Sequence, residues 1–327
     1  MNNLKLSGFA ACVMFFALCF PAEAGQQGKV HRLGYLANAV RGSPNEEAFR
    51  QGLSGLGYIE GQNVVIEYRW TEGNNELLPG FAAELVRLKV DIIVVAGGTP
   101  AVLAAKNATS AIPIVFVGSI DPVAVGLVAS LAQPGGNITG LAIGAPGLYG
   151  KRLELIKETI PRLSSVGLLS NPSNAATATV FKETQIAAKD LGVQVQSLEV
   201  RSANDFDGAF ETAIKAHVGA LIVAQQPPIN TNAKRIVELS AKSRLPAIYQ
   251  DSAWPAGGGL MSYGPSIPDL YRRSAIYVDK ILKGTKPANL PVEQPRKFEL
   301  IINLKAAKQI GLTIPQSVLF RADRVIK

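Results

Sequence analysis

The sequence predicts an α/β chain of two doubly wound parallel-sheet lobes joined by a three-segment hinge, and three observations carry that expectation. The first is a rule stated twice between Val90 and Gly140. A buried apolar run (92–96, then 114–117) ends in a glycine-containing turn, and Thr99-Pro100 or Asp121-Pro122 then opens an amphipathic stretch. Thr and Asp oxygens accept a helix's first free N–H groups, and Pro at the first helical position gives up only an N–H that has no partner anyway. The second observation is that the alternation of strand and helix restarts at Tyr149. The third is a set of glycine- and proline-rich stretches at 144–147, 256–266 and 286–295, where few contacts need cross and the chain can pass between lobes. At 327 residues the chain exceeds a typical domain of about 100–200 residues. The expected division is a leader at 1–24, a first lobe of 25–143 plus 257–286, and a second lobe of 144–256 plus 287–327.

In order, a short strand covers 31–36. Ser43 and Glu46 then form a capping box, with Pro44 at the first helical position and Ala48, Phe49, Leu53 and Leu56 as the apolar stripe. Gly57 ends that helix, 60–63 turn, and 64–70 alternate as a strand. A helix over 77–88 feeds the strand 91–96. The two turn units already described follow, and a strand spans 137–143. Beyond it come a helix at 151–160, a strand at 166–169 and the turn Asn171-Pro172-Ser173-Asn174 opening a helix at 177–191. Strands at 193–200 and 220–224 flank a helix at 205–216. A helix at 230–243 leads to a strand at 246–249 and the polar loop 250–255. A short strand at 260–263 between glycines, a helix at 269–282, and a strand and helix within 297–310 complete the reading.

The first residues, MNNLKLSGFAACVMFFALCFPAEAG, read as a secretory signal peptide. Lys5 is the positive region, 9–20 the apolar core, and Ala22-Glu23-Ala24 a small-x-small cleavage site. That core is shorter than the roughly 20 residues of a membrane span, and no later run approaches this length. A mature chain starting near Gly25 is therefore expected to be soluble, without stable membrane insertion. Both cysteines, Cys12 and Cys19, lie in the leader, which leaves no disulfide, thiolate metal site or cysteine nucleophile.

Hydrophobic residues make up 47% and charged ones 18% of the chain, which fits a packed core rather than a disordered chain. The net charge of +8 is spread among acidic residues with no long basic run, so nucleic-acid binding is not expected. The basic cluster of Arg272, Arg273, Lys280, Lys283 and Lys286 reads as a solvated helix face. His31 and His217 are the only histidines, and neither has a partner at metal-ligand or triad spacing. No phosphate loop is present, and LGYIEG lies after a helix and before a strand, the wrong context for a dinucleotide turn. No cofactor and no metal are expected, and binding is favoured over turnover. Asn137-Ile138-Thr139 is a chance match to a glycosylation pattern inside a strand.

In an open parallel sheet, ligands sit beyond the carboxyl ends of the strands. That rule gathers Asn38, in the loop 37–45, with Gly98, Thr99, Ser119 and Asp121 at one edge, and the corresponding turns of the second lobe at another. The same residues also read as caps and close-packing turns; it is their convergence on one edge that favours a site.

The strings FRQGLSGLGYIEGQNVVIEYRW, IPIVFVGSIDPVAVGLVASLAQPGGNITG, GGLMSYG and DLYRRSAIYVDKILKGTKPANLPVEQPRKFELIINLKAAKQIGLTIPQSVLFRADRVI resemble the periplasmic solute-binding proteins of ABC importers, in their tryptophan/tyrosine-type branch. The resemblance covers nearly all of the chain after the leader. It implies a type I periplasmic-binding-protein-like fold with three hinge strands, and an amino acid or similar small solute between the lobes. It also implies a membrane permease and its ATPase as partners. Carried onto this sequence, Gly98 and Thr99, Ser119 and Asp121, Asn171, Ser173 and Asn174, and Gln250 and Asp251 line the cleft. Gln225, after the 220–224 strand, joins them.

Thr99 with a helix N-terminus behind it suits a ligand carboxylate, and Asp121 an ammonium. Tyr249, with Tyr35, Trp254 and Tyr263, is a candidate to read the ligand's side chain, though each also reads as core. The rival classes are a two-lobed α/β enzyme with an interlobe active site, against which the leader and the scarcity of histidine weigh, and a receptor read by a membrane sensor.

Overall fold

The computed structural model describes residues 30–327 apart from Ile120, Ala175 and Pro227. The expected leader, with Cys12, Cys19 and the cleavage site, lies outside the described residues.

The first half of the chain builds β1 (His31–Ala37), α1 (Pro44–Gly55), β2 (Val64–Trp70), α2 (Leu78–Arg87), β3 (Ile92–Ala96), α3 (Gly98–Ala108), β4 (Ile114–Ser119) and β5 (Ile138–Ala142). The five strands form a parallel sheet in the order β2-β1-β3-β4-β5. Because β1 and β3 are near-continuous apolar runs, they suit a sheet covered on both faces. Leu33, Tyr35 and Ala37 face one core, and Leu36 faces another shared with α2 and α3.

Then come α4 (Leu148–Thr159), β6 (Ser165–Ser170), α5 (Thr177–Leu191), β7 (Gln194–Glu199), α6 (Phe206–Lys215), β8 (Ala220–Val223), α7 (Ala233–Lys242), β9 (Ala247–Tyr249), α8 (Ala253–Ala256) and β10 (Met261–Pro265). After them α9 (Ile267–Leu282) returns to the first sheet, before β11 (Phe298–Asn303), α10 (Leu304–Gln309), α11 (Gln316–Leu319) and β12 (Arg324–Ile326) complete the second. The second sheet runs β12-β11-β10-β9-β8-β6-β7, so β7-β6-β8-β9-β10 repeats the strand order of the first. Among the described residues, only the β10–β11 pairing is antiparallel.

The hinge differs from the expected boundaries at two points. Residues 257–265, expected in the first lobe, belong to the second: β10 pairs with β9 and β11, and Gly257–Gly259 only turn the chain out of α8. The crossing comes later, where β10 passes directly into α9. Residues 287–293, expected in the second lobe, lie along the first sheet, with Val292 N donating to Leu131 O (2.7 Å) and Glu293 N to Gly140 O (3.0 Å). Strand pairing thus overrides glycine content in placing the boundaries. α9 fastens this return, because a Cβ on Gly52 of α1 would stand 2.3 Å from Arg272 O, a backbone-to-backbone approach that only glycine permits.

One expected helix does not form. After Asp121-Pro122 the chain makes a compact turn: Leu127 and Val128 both donate to Pro122 O (2.8 and 3.2 Å), and Gly126 takes φ +67°, which interrupts helical geometry. The capping box at α1 is half formed. Ser43 Oγ accepts from Glu46 N (3.2 Å), but the Glu46 carboxylate reaches Gly42 N (3.3 Å) and Trp70 Nε1 (2.7 Å) instead of the cap residue.

Candidate ligand-binding site

All three hinge segments use the carboxyl edges of the sheets. β5 leaves the first sheet through that edge, β10 leaves the second through the corresponding one, and residues 291–294 run parallel to β5 before β11 enters opposite the end of β10. The two carboxyl edges therefore face each other across the hinge, and the strand-order reversals, between β1 and β3 and between β6 and β8, lie on the facing edges. Such reversals are where doubly wound sheets leave a crevice.

On the first edge, Asn38 donates its backbone N–H to Ala96 O (3.0 Å). Its amide accepts from the Thr71 hydroxyl (2.6 Å) and donates to Asn75 Oδ1 (2.8 Å). Gly98, at φ +71°, opens α3, whose cap is Gly97 and which has no side-chain cap. Thr99 thus stands inside the helix rather than capping it, because the glycine pair starts the helix two residues early. Its hydroxyl instead meets Ser119 Oγ at 3.4 Å, and Ser119 is fully buried. Asp121 is exposed, and its Oδ1 accepts from Val123 N (3.2 Å) and Ala124 N (2.9 Å). The capping reading is the one this geometry satisfies.

On the second edge, the Asn171–Asn174 turn is held by its own amides. Asn171 Oδ1 accepts from Ser173 N and Asn174 Oδ1 from Ala176 N, each at 2.9 Å, and Ser173 is exposed. Gln225 is half-buried, with its backbone N–H on Tyr149 Oη (3.3 Å). The neighbouring Gln226, which sequence reasoning passed over, is buried and bonds both Asn171 N (2.8 Å) and the Thr177 hydroxyl (3.0 Å). Gln250 is 1% exposed; its Nε2 reaches Asn230 Oδ1 (3.2 Å), while its Oε1 has no partner among the described residues. Asp251 accepts from Ala253 N (2.9 Å). Burial holds its carboxyl above the usual range, against the opposing pull of that N–H and of Arg152.

Tyr249 is not on the edge, and its expected side-chain-reading position is corrected. It is fully buried, stacks on Trp254 (4.6 Å between centroids) and donates to Ser240 Oγ (3.3 Å), and burial pushes its phenol up to about 12. Tyr35 is likewise core, stacked on Phe49. Strand alternation points Tyr249 away from α4 and into the α7 face, so its position at a strand end did not place it in the crevice.

The most telling residue sequence reasoning missed is Arg152, which is 2% exposed. Its Nε donates to Tyr263 O (2.8 Å) and its guanidinium lies 4.7 Å from the centre of the Tyr149 ring. Burial lowers its pKa, while Tyr149, Asp251 and Glu183 favour its charge. A signal was present: in α4 the buried positions are 148, 152, 153, 155, 156 and 159, and Arg152 is the charge among them.

Among the described residues no group of three or more His, Cys, Asp or Glu could hold a metal ion, and no helix is long and apolar enough to cross a membrane.

A family model described as ABC transporter substrate binding protein matches residues 44–326. The chain is 25% identical over 267 residues to the tyrosine-binding protein of Clostridioides difficile, covering 82% of this chain and 76% of that one. Among solved structures it resembles the ABC domain of Streptococcus pneumoniae in complex with L-Trp, with 29% identity, TM-score 0.78 and coverage of 90% and 99% of the two chains. It also resembles a conserved domain protein from Vibrio cholerae, with 28% identity, TM-score 0.78 and coverage of 91% and 100%.

Proposed function

The chain belongs to the ABC transporter substrate-binding protein family, and from that premise we propose that it is a periplasmic, non-catalytic receptor that closes on an amino acid or related small carboxylate and delivers it to a membrane permease with its ATPase. The observation that carries this reading is the pair of carboxyl edges turned towards each other across three hinge segments. Contacts made by both edges exist only when the lobes are together, so a ligand touching both shifts the population towards closure.

On the first edge, the Thr99 and Ser119 hydroxyls and the uncapped N-terminus of α3 offer neutral donors and a partial positive charge to an anionic group. On the second, Arg152 and Asp251 offer a guanidinium and a carboxyl group. An α-amino acid, which carries both signs within a few ångströms, complements that pair, and the amino acids named for two relatives support the same ligand class. The proposed binding residues are therefore Gly98, Thr99, Ser119, Gln250 and Asp251 from the expected set, with Arg152 added.

Isothermal titration of the leaderless protein with the L-amino acids and with small carboxylates tests this. At least one L-amino acid is expected to bind, and to raise the melting temperature as a ligand of the folded form must. Binding of none of them refutes the assignment.

A further inference from the structure

We propose that Arg152 is the specificity-determining residue of this site: its guanidinium takes the ligand's carboxylate from the second-lobe side, with Gln250 Oε1 and Asp251 taking the ammonium. This rests on the amino-acid reading above and goes beyond it by assigning the head group to named atoms.

The second edge carries polar groups whose needs the fold does not meet. In register, Leu168, Ile222, Ile248 and Met261 form one row, and the Thr159 hydroxyl 3.8 Å from Met261 Sδ shows that α4 covers that face. Ser170, two positions beyond Leu168, continues the row towards the carboxyl edge, and its Oγ is buried with no partner among the described residues. Gln250 Oε1, just past the end of β9, is in the same condition. Arg152, in the first turns of α4, reaches the same end of the face through its bond to Tyr263 O. Among the described residues no carboxylate lies within ion-pair distance of it, and Asp251 and Glu183 act on it through space.

Buried polar atoms normally have partners, and two without one at the same edge imply a partner that arrives. An arginine fork matches a carboxylate by two parallel hydrogen bonds. With the first-lobe hydroxyls on its other side, that carboxylate is the part of the ligand both lobes touch, so closure depends on it.

The alternative is that Arg152 only clips α4 to β10. Titration of the wild type and of Arg152→Met and Arg152→Lys separates the two, using L-tryptophan and L-tyrosine against tryptamine and tyramine, which lack only the carboxylate. The wild type is expected to prefer the acid over its amine by about 100-fold or more. Arg152→Met should lose about that factor for the amino acid, leave the amine's affinity within about threefold, and be partly rescued by Arg152→Lys.

A parallel loss for acid and amine, or unchanged affinity for both, overturns the assignment and leaves the amino-acid reading standing. Should Arg152→Met fail to fold, the wild-type comparison decides: equal affinity for acid and amine overturns the assignment, and a preference of the expected size upholds it. A wild type that binds no amino acid in the full L-amino-acid titration refutes the proposed function itself, and this assignment with it.

Discussion

The two facing edges share a strand order and differ in how they satisfy their polar groups. On the first, Asn38, Thr71 and Asn75 bond one another, Thr99 meets Ser119, and Asp121 is occupied by backbone N–H groups in solvent. On the second lie a buried guanidinium, a half-buried carboxyl and two buried oxygens with no partner among the described residues. The first edge is prearranged, with its Asp121 carboxyl group turned to solvent. The second carries desolvation that an incoming zwitterion offsets, so the selectivity of the pair is expected to lie there, because a mismatched ligand leaves buried charge unpaired.

Steric room gives the sharpest way to break this comparison. A Cβ on Gly264 would stand 1.7 Å from Gln250 O, whereas one on Gly98 comes no closer than 3.9 Å to Gly118 O and meets only the strain of φ +71°. Gly264→Ala is expected to cost about 3 kcal/mol or more of stability by urea denaturation. Gly98→Ala should cost about 1–2 kcal/mol. Similar costs would mean that Gly264 is as forgiving a position as Gly98.

The first edge's part in binding is read by Thr99→Val combined with Ser119→Ala. The pair is expected to weaken amino-acid binding about tenfold, near 1.4 kcal/mol, with little change in melting temperature. Unaltered affinity would leave the second edge to bind alone. Tyr249→Phe, which removes the bond to Ser240 inside the second core, should lower stability by about 1 kcal/mol and leave binding unchanged. A change in affinity there would reinstate Tyr249 at the site.

The smallest effect concerns pH. Because the folded-state pKa of Asp251 is raised, the folded state holds its proton more tightly than the unfolded one. Stability from this group therefore falls as pH rises from the unfolded carboxylate value, about 4, through the raised folded value. Asp251→Asn should remove that decline, matching the wild type at lower pH and gaining a fraction of a kcal/mol above the window. A variant less stable than the wild type at neutral pH would show that the attraction to Arg152 outweighs burial.

Much of the fold was legible in the chain because it follows from local rules. The alternation that marks β2 at Val64–Trp70, and the polar turn at 171–174 that opens α5 at Thr177–Leu191, accompanied readings of both elements at their observed bounds. The paired lobes followed from alternation restarting after the 144–147 crossing. Less of the site was legible. Polar turns after apolar runs located the edge, yet an N-cap and a ligand contact use the same residue types, and only backbone geometry separates Asp121, occupied by its own turn, from Thr99, displaced by Gly97 and Gly98 into the helix.

What the sequence determined by itself is therefore the two-lobed α/β architecture and the family, since periodicity, end signals and long matching strings are properties of neighbouring residues. Tertiary structure alone decided where the lobes divide, that Tyr249 belongs to the core, and that Arg152 stands beside Tyr263 and within reach of Asp251, 111 residues (263 − 152) and 99 residues (251 − 152) further along the chain. Burial and the pairing of charges depend on which distant segments the sheet brings together, and no local pattern encodes that distance.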